Sequence, residues 1–202
     1  MNQPILELKN ISLAVHNFNL SDISIDLSPG EVHVIMGENG SGKSLLMKIV
    51  SGILPPDSGD LLLEGNVVKW KDFSIYSSND IIYIQQNLSL LENLTIAENL
   101  FFHKLPYKNR IMKIIDHEKL EFQYQQLINE LELPIHVNDK VSTLGLAQRQ
   151  MIEFCKAYIS DARIVILDEP SASLSLSERE LLYGIVDHMR TKGAGIFFIT
   201  HR

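Results

Sequence analysis

Gly37-Glu38-Asn39-Gly40-Ser41-Gly42-Lys43-Ser44 leaves this chain few ways to fold. The segment fits G-x-x-x-x-G-K-[ST], and its flanks have the character that such a loop requires. Residues 31–36 read as a short buried strand, and residues 45–50 read as a helix that stops at Gly52. Glycines let the backbone turn so tightly that successive N–H groups point into one concavity, which suits phosphate oxygens. The helix N-terminus adds partial positive charge at the same place. Lys43 is then expected to reach the β- and γ-phosphates of a nucleoside triphosphate, and the Ser44 hydroxyl to ligate Mg²⁺.

The rest of the chain supplies the frame for that loop. Residues 5–34 alternate apolar and polar positions (Ile5, Leu6, Leu8; Ile11, Leu13, Val15; Ile23, Ile25, Leu27), the period of strands with one covered face. Ser28-Pro29-Gly30 reads as a turn, residues 60–68 as a hairpin around Gly65-Asn66, and residues 81–84 as a further strand. From about Thr95 to Ser160 glycine nearly vanishes and helical periodicity takes over, at 118–131 and 148–159. The charged, glutamine-rich stretch 107–126 reads as a solvated helical face. Strands return at 163–167 and 195–200, with a helix from about Ser177 to Thr191 between them. A helical insert therefore interrupts an α/β domain with a largely parallel sheet.

Composition narrows the function. A formal net charge of −7 argues against a nucleic-acid-binding surface. No apolar run approaches the ~20 residues of a membrane-spanning helix, and no signal peptide is evident at the N-terminus, so any membrane role is expected to be peripheral. The single cysteine, Cys155, cannot form an internal disulfide and reads as a small buried hydrophobe in a reducing compartment.

Four further segments carry candidate chemistry. Asp168-Glu169 ends the apolar run 164–167, and two carboxylates at a buried strand end are costly without a role. Beside a phosphate loop, Asp168 is placed to hold Mg²⁺ through water and Glu169 to orient or deprotonate attacking water; the alternative is that both cap the next helix. Gln85-Gln86 follows the strand 81–84, and a glutamine amide oxygen can ligate Mg²⁺ or position water, or simply sit in a loop. Leu144-Gly145-Leu146-Ala147-Gln148 precedes the helix from Gln148, and small residues there leave backbone N–H groups open to an anion. His201 ends the last strand.

The order of these pieces resembles the nucleotide-binding cassette of the ABC transporter family, over the whole chain. The resemblance implies a P-loop NTPase with a RecA-like α/β core, an antiparallel β subdomain and an inserted α-helical subdomain, truncated at the C-terminus. The core would comprise residues 1–86 and 161–202, and the helical subdomain residues 87–160. By motif, Gly37, Glu38, Asn39, Gly40, Ser41, Gly42, Lys43 and Ser44 match the Walker A loop, and Gln86 the Q-loop glutamine. Leu144, Gly145, Leu146, Ala147 and Gln148 match the signature segment, which acts in trans on a second cassette. Asp168 and Glu169 match Walker B and the catalytic base, residues 171–175 the D-loop, and His201 the switch histidine. Glu169, His201 and Gln86 would be catalytic; Ser44, Gln86 and Asp168 would hold Mg²⁺ beside ATP.

Within the family, four segments are similar to the N-terminal cassette of bacterial ribose- or galactose-type importers, and nucleoside importers share most of them: Gly37-Glu38-Asn39-Gly40, Leu94-Thr95-Ile96-Ala97-Glu98-Asn99, Gln148-Arg149-Gln150-Met151-Ile152-Glu153 and Ile199-Thr200-His201-Arg202. The implied protein is a peripheral ATPase on the cytoplasmic face of the bacterial inner membrane. Its implied partners are a second ATP-binding cassette, in the same full-length chain, transmembrane permease subunits and, indirectly, a periplasmic or extracellular solute-binding protein, with no nucleic acid. A soluble ABC ATPase or a regulatory cassette with a degenerate signature are the competing readings. The departures from the family pattern are Leu45 for threonine, Gly145 for serine, Ala147 for the second glycine and Ser175 for the D-loop aspartate. The aromatic residue that stacks on adenine is not evident; Val15 falls nearest its place, with His16 and Phe18 close by.

Overall fold

The structure, a computed structural model, describes residues 3–15, 18–70, 80–85, 89–102, 105–109, 114–131, 136 and 139–201. The chain divides into two compact units, one drawn from residues 1–86, 161–170 and 186–202, the other from 87–160 and 171–185.

In the first unit, the early alternation forms two long antiparallel strands, β1 (Leu6–Val15) and β2 (Phe18–Leu27). With β4 (Ser58–Leu63) and β5 (Asn66–Val67) they make an antiparallel sheet in the order β2-β1-β4-β5. The β4–β5 hairpin turns at Glu64-Gly65, one residue earlier than the expected Gly65-Asn66, and both residues have positive φ (49° and 75°), as a primed two-residue turn requires. Ser28-Pro29-Gly30 is the expected turn, with Gly30 at φ 71° and the Glu31 N–H donating to the Ser28 carbonyl at 3.2 Å.

The second sheet of this unit is wholly parallel, in the order β3-β10-β9-β6: β3 (Val32–Met36), β10 (Gly195–Thr200), β9 (Ile164–Asp168) and β6 (Ile81–Ile84). Its central strands are continuous apolar runs, as strands covered on both faces should be. β3 departs from expectation. It is an edge strand whose Val34 and Met36 are 51% and 65% exposed, so it is not buried. An apolar run reports strand character but not which of its faces is covered. Helix α1 (Lys43–Val50) buries Leu46, Met47, Ile49 and Val50. They share one core with Leu6, Leu8, Leu27 and Leu61 of the antiparallel sheet and Ile166, Phe197 and Ile199 of the parallel one.

The second unit holds α2 (Ile96–Leu100), α3 (His117–Leu131) and α4 (Leu146–Ser160). α3 buries Leu120, Tyr124, Leu127 and Leu131, a single stripe at helical spacing. The stretch 107–126 is only in part the expected solvated helix. Its first part pairs as a two-stranded ribbon, β7 (Tyr107–Asn109) with β8 (Ile114–Ile115), in which the β-branched Ile114-Ile115 pair favours extended backbone. The last helix, α5 (Leu176–Thr191), belongs to this unit up to residue 185 and to the first from 186.

Candidate functional site

Register gathers the candidate residues of the first unit. In the parallel sheet Met36 lies beside Thr200, and Ile199 beside Asp168, so β3, β10 and β9 end level with one another. The glycine-rich loop leaves the end of β3, Asp168 and Glu169 close β9, and His201 follows β10. The carboxyl edge of a parallel sheet is where loops converge and ligands bind in open α/β folds.

The loop itself needs its glycines. Gly40 and Gly42 have φ of 81° and 93°, and Gly42 is the N-cap of α1. A Cβ at Gly42 would stand 2.6 Å from the Phe18 ring, so the loop passes directly under that aromatic side chain. The Lys43 ammonium folds back over the loop and donates to the carbonyls of Gly37 (2.6 Å) and Glu38 (2.8 Å). Phe18, Asn39, Gly40, Gly42, Lys43, Ser44, Leu45, Asp168 and Glu169 line a cleft of about 400 Å³, within the range of small-ligand sites.

Two polar networks cross the cleft floor. The Ser44 hydroxyl donates to Asp168 Oδ2 at 2.8 Å, and the Tyr83 hydroxyl, from β6, donates to the same oxygen at 2.8 Å. Burial, and then the Asp168 carboxylate, push the Tyr83 phenol far above its ordinary pKa, so it stays a donor. Beside them, Glu169 Oε1 and His201 Nδ1 are 2.7 Å apart. Glu169 has a left-handed backbone, φ 52°, rare for a non-glycine residue, and its N–H donates to the Ile199 carbonyl at 3.1 Å. Such strain collects at functional positions. Asp168 and Glu169 therefore do not serve as caps of the following helix. That helix, α5, is capped by Ser175, whose hydroxyl and N–H both engage Glu178 Oε2 at 2.7 and 2.8 Å.

The remaining candidates lie elsewhere or outside the described residues. Gln86 and His16 fall outside them, and Gln85 is exposed. Val15 and Phe18 both pack against the core of the first unit, and of the two only Phe18 also lines the cleft. Leu45 is half-buried against that same core while also lining the cleft. The signature segment belongs to the second unit, and α4 begins two residues earlier than expected. Leu146, Ala147 and Gln148 thus form its first turn, with Gly145 before it. The Gly145 N–H, expected to be open, donates to Gln148 Oε1 at 3.1 Å, one half of a capping box whose serine half is absent. In the D-loop, the Ser173 hydroxyl donates to the buried Gln150 at 2.6 Å. Tyr83 and the Ser175–Glu178 box were the residues that motif reading passed over. For the box the S-x-x-E spacing was a usable signal.

A phosphate-loop strand and helix, with a Ser44–Asp168 bond and an acid pair at the end of β9, one strand removed from β3, define a P-loop NTPase fold. The family described as ABC transporter matches residues 20–172, and the chain belongs to it. It is 37% identical over 199 residues to the ribose import ATP-binding protein RbsA of Corynebacterium glutamicum, covering 98% of this chain and 37% of that protein. It is 39% identical over 183 residues to the arabinose import ATP-binding protein AraG 1 of Burkholderia cenocepacia, covering 91% of this chain and 36% of the relative. The chain thus spans little more than a third of the length of these two relatives. Among solved structures, a nucleotide-free ATP-binding cassette from an ABC transporter superposes with a TM-score of 0.80 at 25% identity, over 98% of this chain and 82% of that one.

Proposed function

We propose that this chain is the ATP-binding and ATP-hydrolysing part of an ABC importer subunit that drives uptake of a monosaccharide. The observation that carries the reading is the convergence of Lys43, Ser44, Asp168, Glu169 and His201 on one cleft edge, in a chain whose relatives are named for ribose and arabinose import. Residues Gly37 to Ser44 would cradle the phosphates, and Phe18, against the loop, offers a face for the base.

Ser44 and Asp168 present hard oxygen donors, the kind that Mg²⁺ takes. Among the described residues no group of three or more His, Cys, Asp or Glu could hold a metal alone. A cation here would share its shell with water and phosphate oxygens, the usual arrangement for Mg²⁺. Bound there, Mg²⁺ would neutralise charge developing on the β- and γ-phosphates. Gln86 is assigned to the same cation by motif.

Glu169 is the assigned general base: it would take a proton from the attacking water, held in orientation by His201 through their 2.7 Å contact. Lys43 would exchange its loop carbonyls for phosphate oxygens. Leu144, Gly145, Leu146, Ala147 and Gln148 would serve a second cassette in trans, which the greater length of the relatives can accommodate in the same polypeptide. Binding would close the two cassettes and hydrolysis reopen them, moving membrane permease subunits served by an external solute-binding protein. No helix among the described residues is long and apolar enough to cross a membrane. The peripheral location on the cytoplasmic face is proposed from the relatives named as import ATP-binding proteins.

A fluorescent ATP analogue titrated into the chain tests the binding half of this reading. Removing a hydrogen bond to a charged group costs about 1.5–3 kcal/mol, so Lys43→Ala should weaken affinity roughly 10- to 150-fold. Equal affinity for both proteins would overturn the assignment of the cleft.

A further inference from the structure

Tyr83 is a residue that none of the motifs claims. It sits on β6, an edge strand of the parallel sheet, with its ring packed against the hydrophobic core of the first unit. Its hydroxyl reaches across to β9 and ends on Asp168 Oδ2 at 2.8 Å, the oxygen that also receives the Ser44 proton at 2.8 Å. Among the described residues no hydrogen bond reaches Asp168 Oδ1. Two donors converging on one oxygen fix the rotation of a carboxylate and leave its other oxygen available.

The two donors are not equivalent. The Ser44 hydroxyl is a short rotor on the very group expected to give its lone pair to the cation. Tyr83 is a rigid ring held by the core, and its hydroxyl, which also interacts with the Ser44 hydroxyl, is not itself a candidate ligand of the cation. Tyr83 is therefore the donor able to keep Asp168 in one orientation while Ser44 adjusts to a ligand. We infer that Tyr83 is a positioning residue of the cation site: its hydroxyl locks the Asp168 carboxylate so that Oδ1 faces the water shell of a bound divalent ion. The inference rests on the nucleotide reading above and deepens it. The simpler role, in which Asp168 merely satisfies a half-buried phenol, makes a different demand on experiment. It ties Tyr83 to stability and not to the metal.

Outer-shell partners of metal ligands typically set affinity by 10- to 100-fold. Tyr83→Phe keeps the ring and its packing and removes only the donor. The experiment is a titration of N-methylanthraniloyl-ATP into the chain in EDTA and at a series of Mg²⁺ concentrations, with a melting curve for each protein. The expected result is a rise of about tenfold in the Mg²⁺ concentration giving half-maximal tightening, with EDTA affinity unchanged. An unshifted Mg²⁺ dependence overturns the inference, whatever happens to the melting temperature. So does an equal loss of affinity with and without Mg²⁺, which would mark a structural role. If the unsubstituted chain binds no analogue under either condition, the nucleotide reading itself fails, and the inference with it.

Discussion

Placing an alanine at Gly42 tests the packing of the phosphate loop against its own domain. The added Cβ would meet Phe18 Cε1 and Cζ at 2.6 Å and Leu20 Cδ2 at 3.0 Å, where comfortable carbon contacts need about 3.5–4.0 Å. An aromatic ring cannot swing aside as a flexible chain end does, so ring or loop must move by about 1 Å. Overpacking of this kind costs about 1–3 kcal/mol. The backbone adds its own penalty, because φ is 93° and an L-residue in the left-handed region costs about 1–2 kcal/mol. The total is about 2–5 kcal/mol, and with a urea slope of about 3 kcal/mol per M the midpoint should fall by roughly 0.7–1.7 M.

The two contributions separate in a double-mutant cycle. Phe18→Ala in the Gly42→Ala background removes the clash but not the φ penalty, so the pair should show a favourable interaction energy of about 1–3 kcal/mol. Urea unfolding of the four proteins, followed by far-ultraviolet circular dichroism, gives each term. Additivity within about 0.5 kcal/mol would refute the claim that Phe18 lies over Gly42.

Further outcomes follow from the second unit. Gly145→Ser would complete the capping box begun by Gln148 and should stabilise α4 by a few tenths of a kcal/mol; in the full-length assembly it should also raise turnover at the site served by this segment, and an unchanged rate would dismiss Gly145 as its weak point. Burial pushes the Cys155 thiol up to about 12, so at pH 9, where a free thiol is largely ionised, the folded chain should resist iodoacetamide and react only after denaturation. Rapid alkylation of folded protein would contradict the burial of that helix face.

Much of the first unit could be read from its residues because its constraints are local. Gly40 and Gly42 must adopt positive φ, Asp168-Glu169 must end an apolar run, and the alternation of residues 5–27 has one consistent strand reading. What escaped is long-range or conformational. Tyr83 and Asp168 are 85 positions apart, and only the pairing of β6 with β9 brings them together. Phe18 pairs with Val15 across β1 and β2 and packs on the same core, and its place at the cleft edge depends on the phosphate loop, which is distant in sequence. The left-handed backbone at Glu169 has no signature in residue type. The pairing of residues 107–109 with 114–115 is hidden because charge marks solvent exposure without distinguishing helix from strand.

The signature and D-loop segments show the opposite error, a motif match that concealed a local device. Ser175 replaces the D-loop aspartate, yet as N-cap of α5 it does what aspartate would also do there. The small residues of the signature segment suggest open backbone N–H groups, whereas Gln148 already occupies the Gly145 donor.

The central claim is that Glu169, oriented by His201, is the base of an ATP-hydrolysing site built on Lys43, Ser44 and Asp168. Its most direct measurement is ATP turnover by the full-length assembly carrying Glu169→Gln, alongside binding of the fluorescent analogue. The amide keeps the shape of the side chain and a contact for His201 but cannot accept the proton. Turnover should fall by about 10²–10⁴-fold with analogue affinity retained. Turnover at the unsubstituted rate would contradict the account.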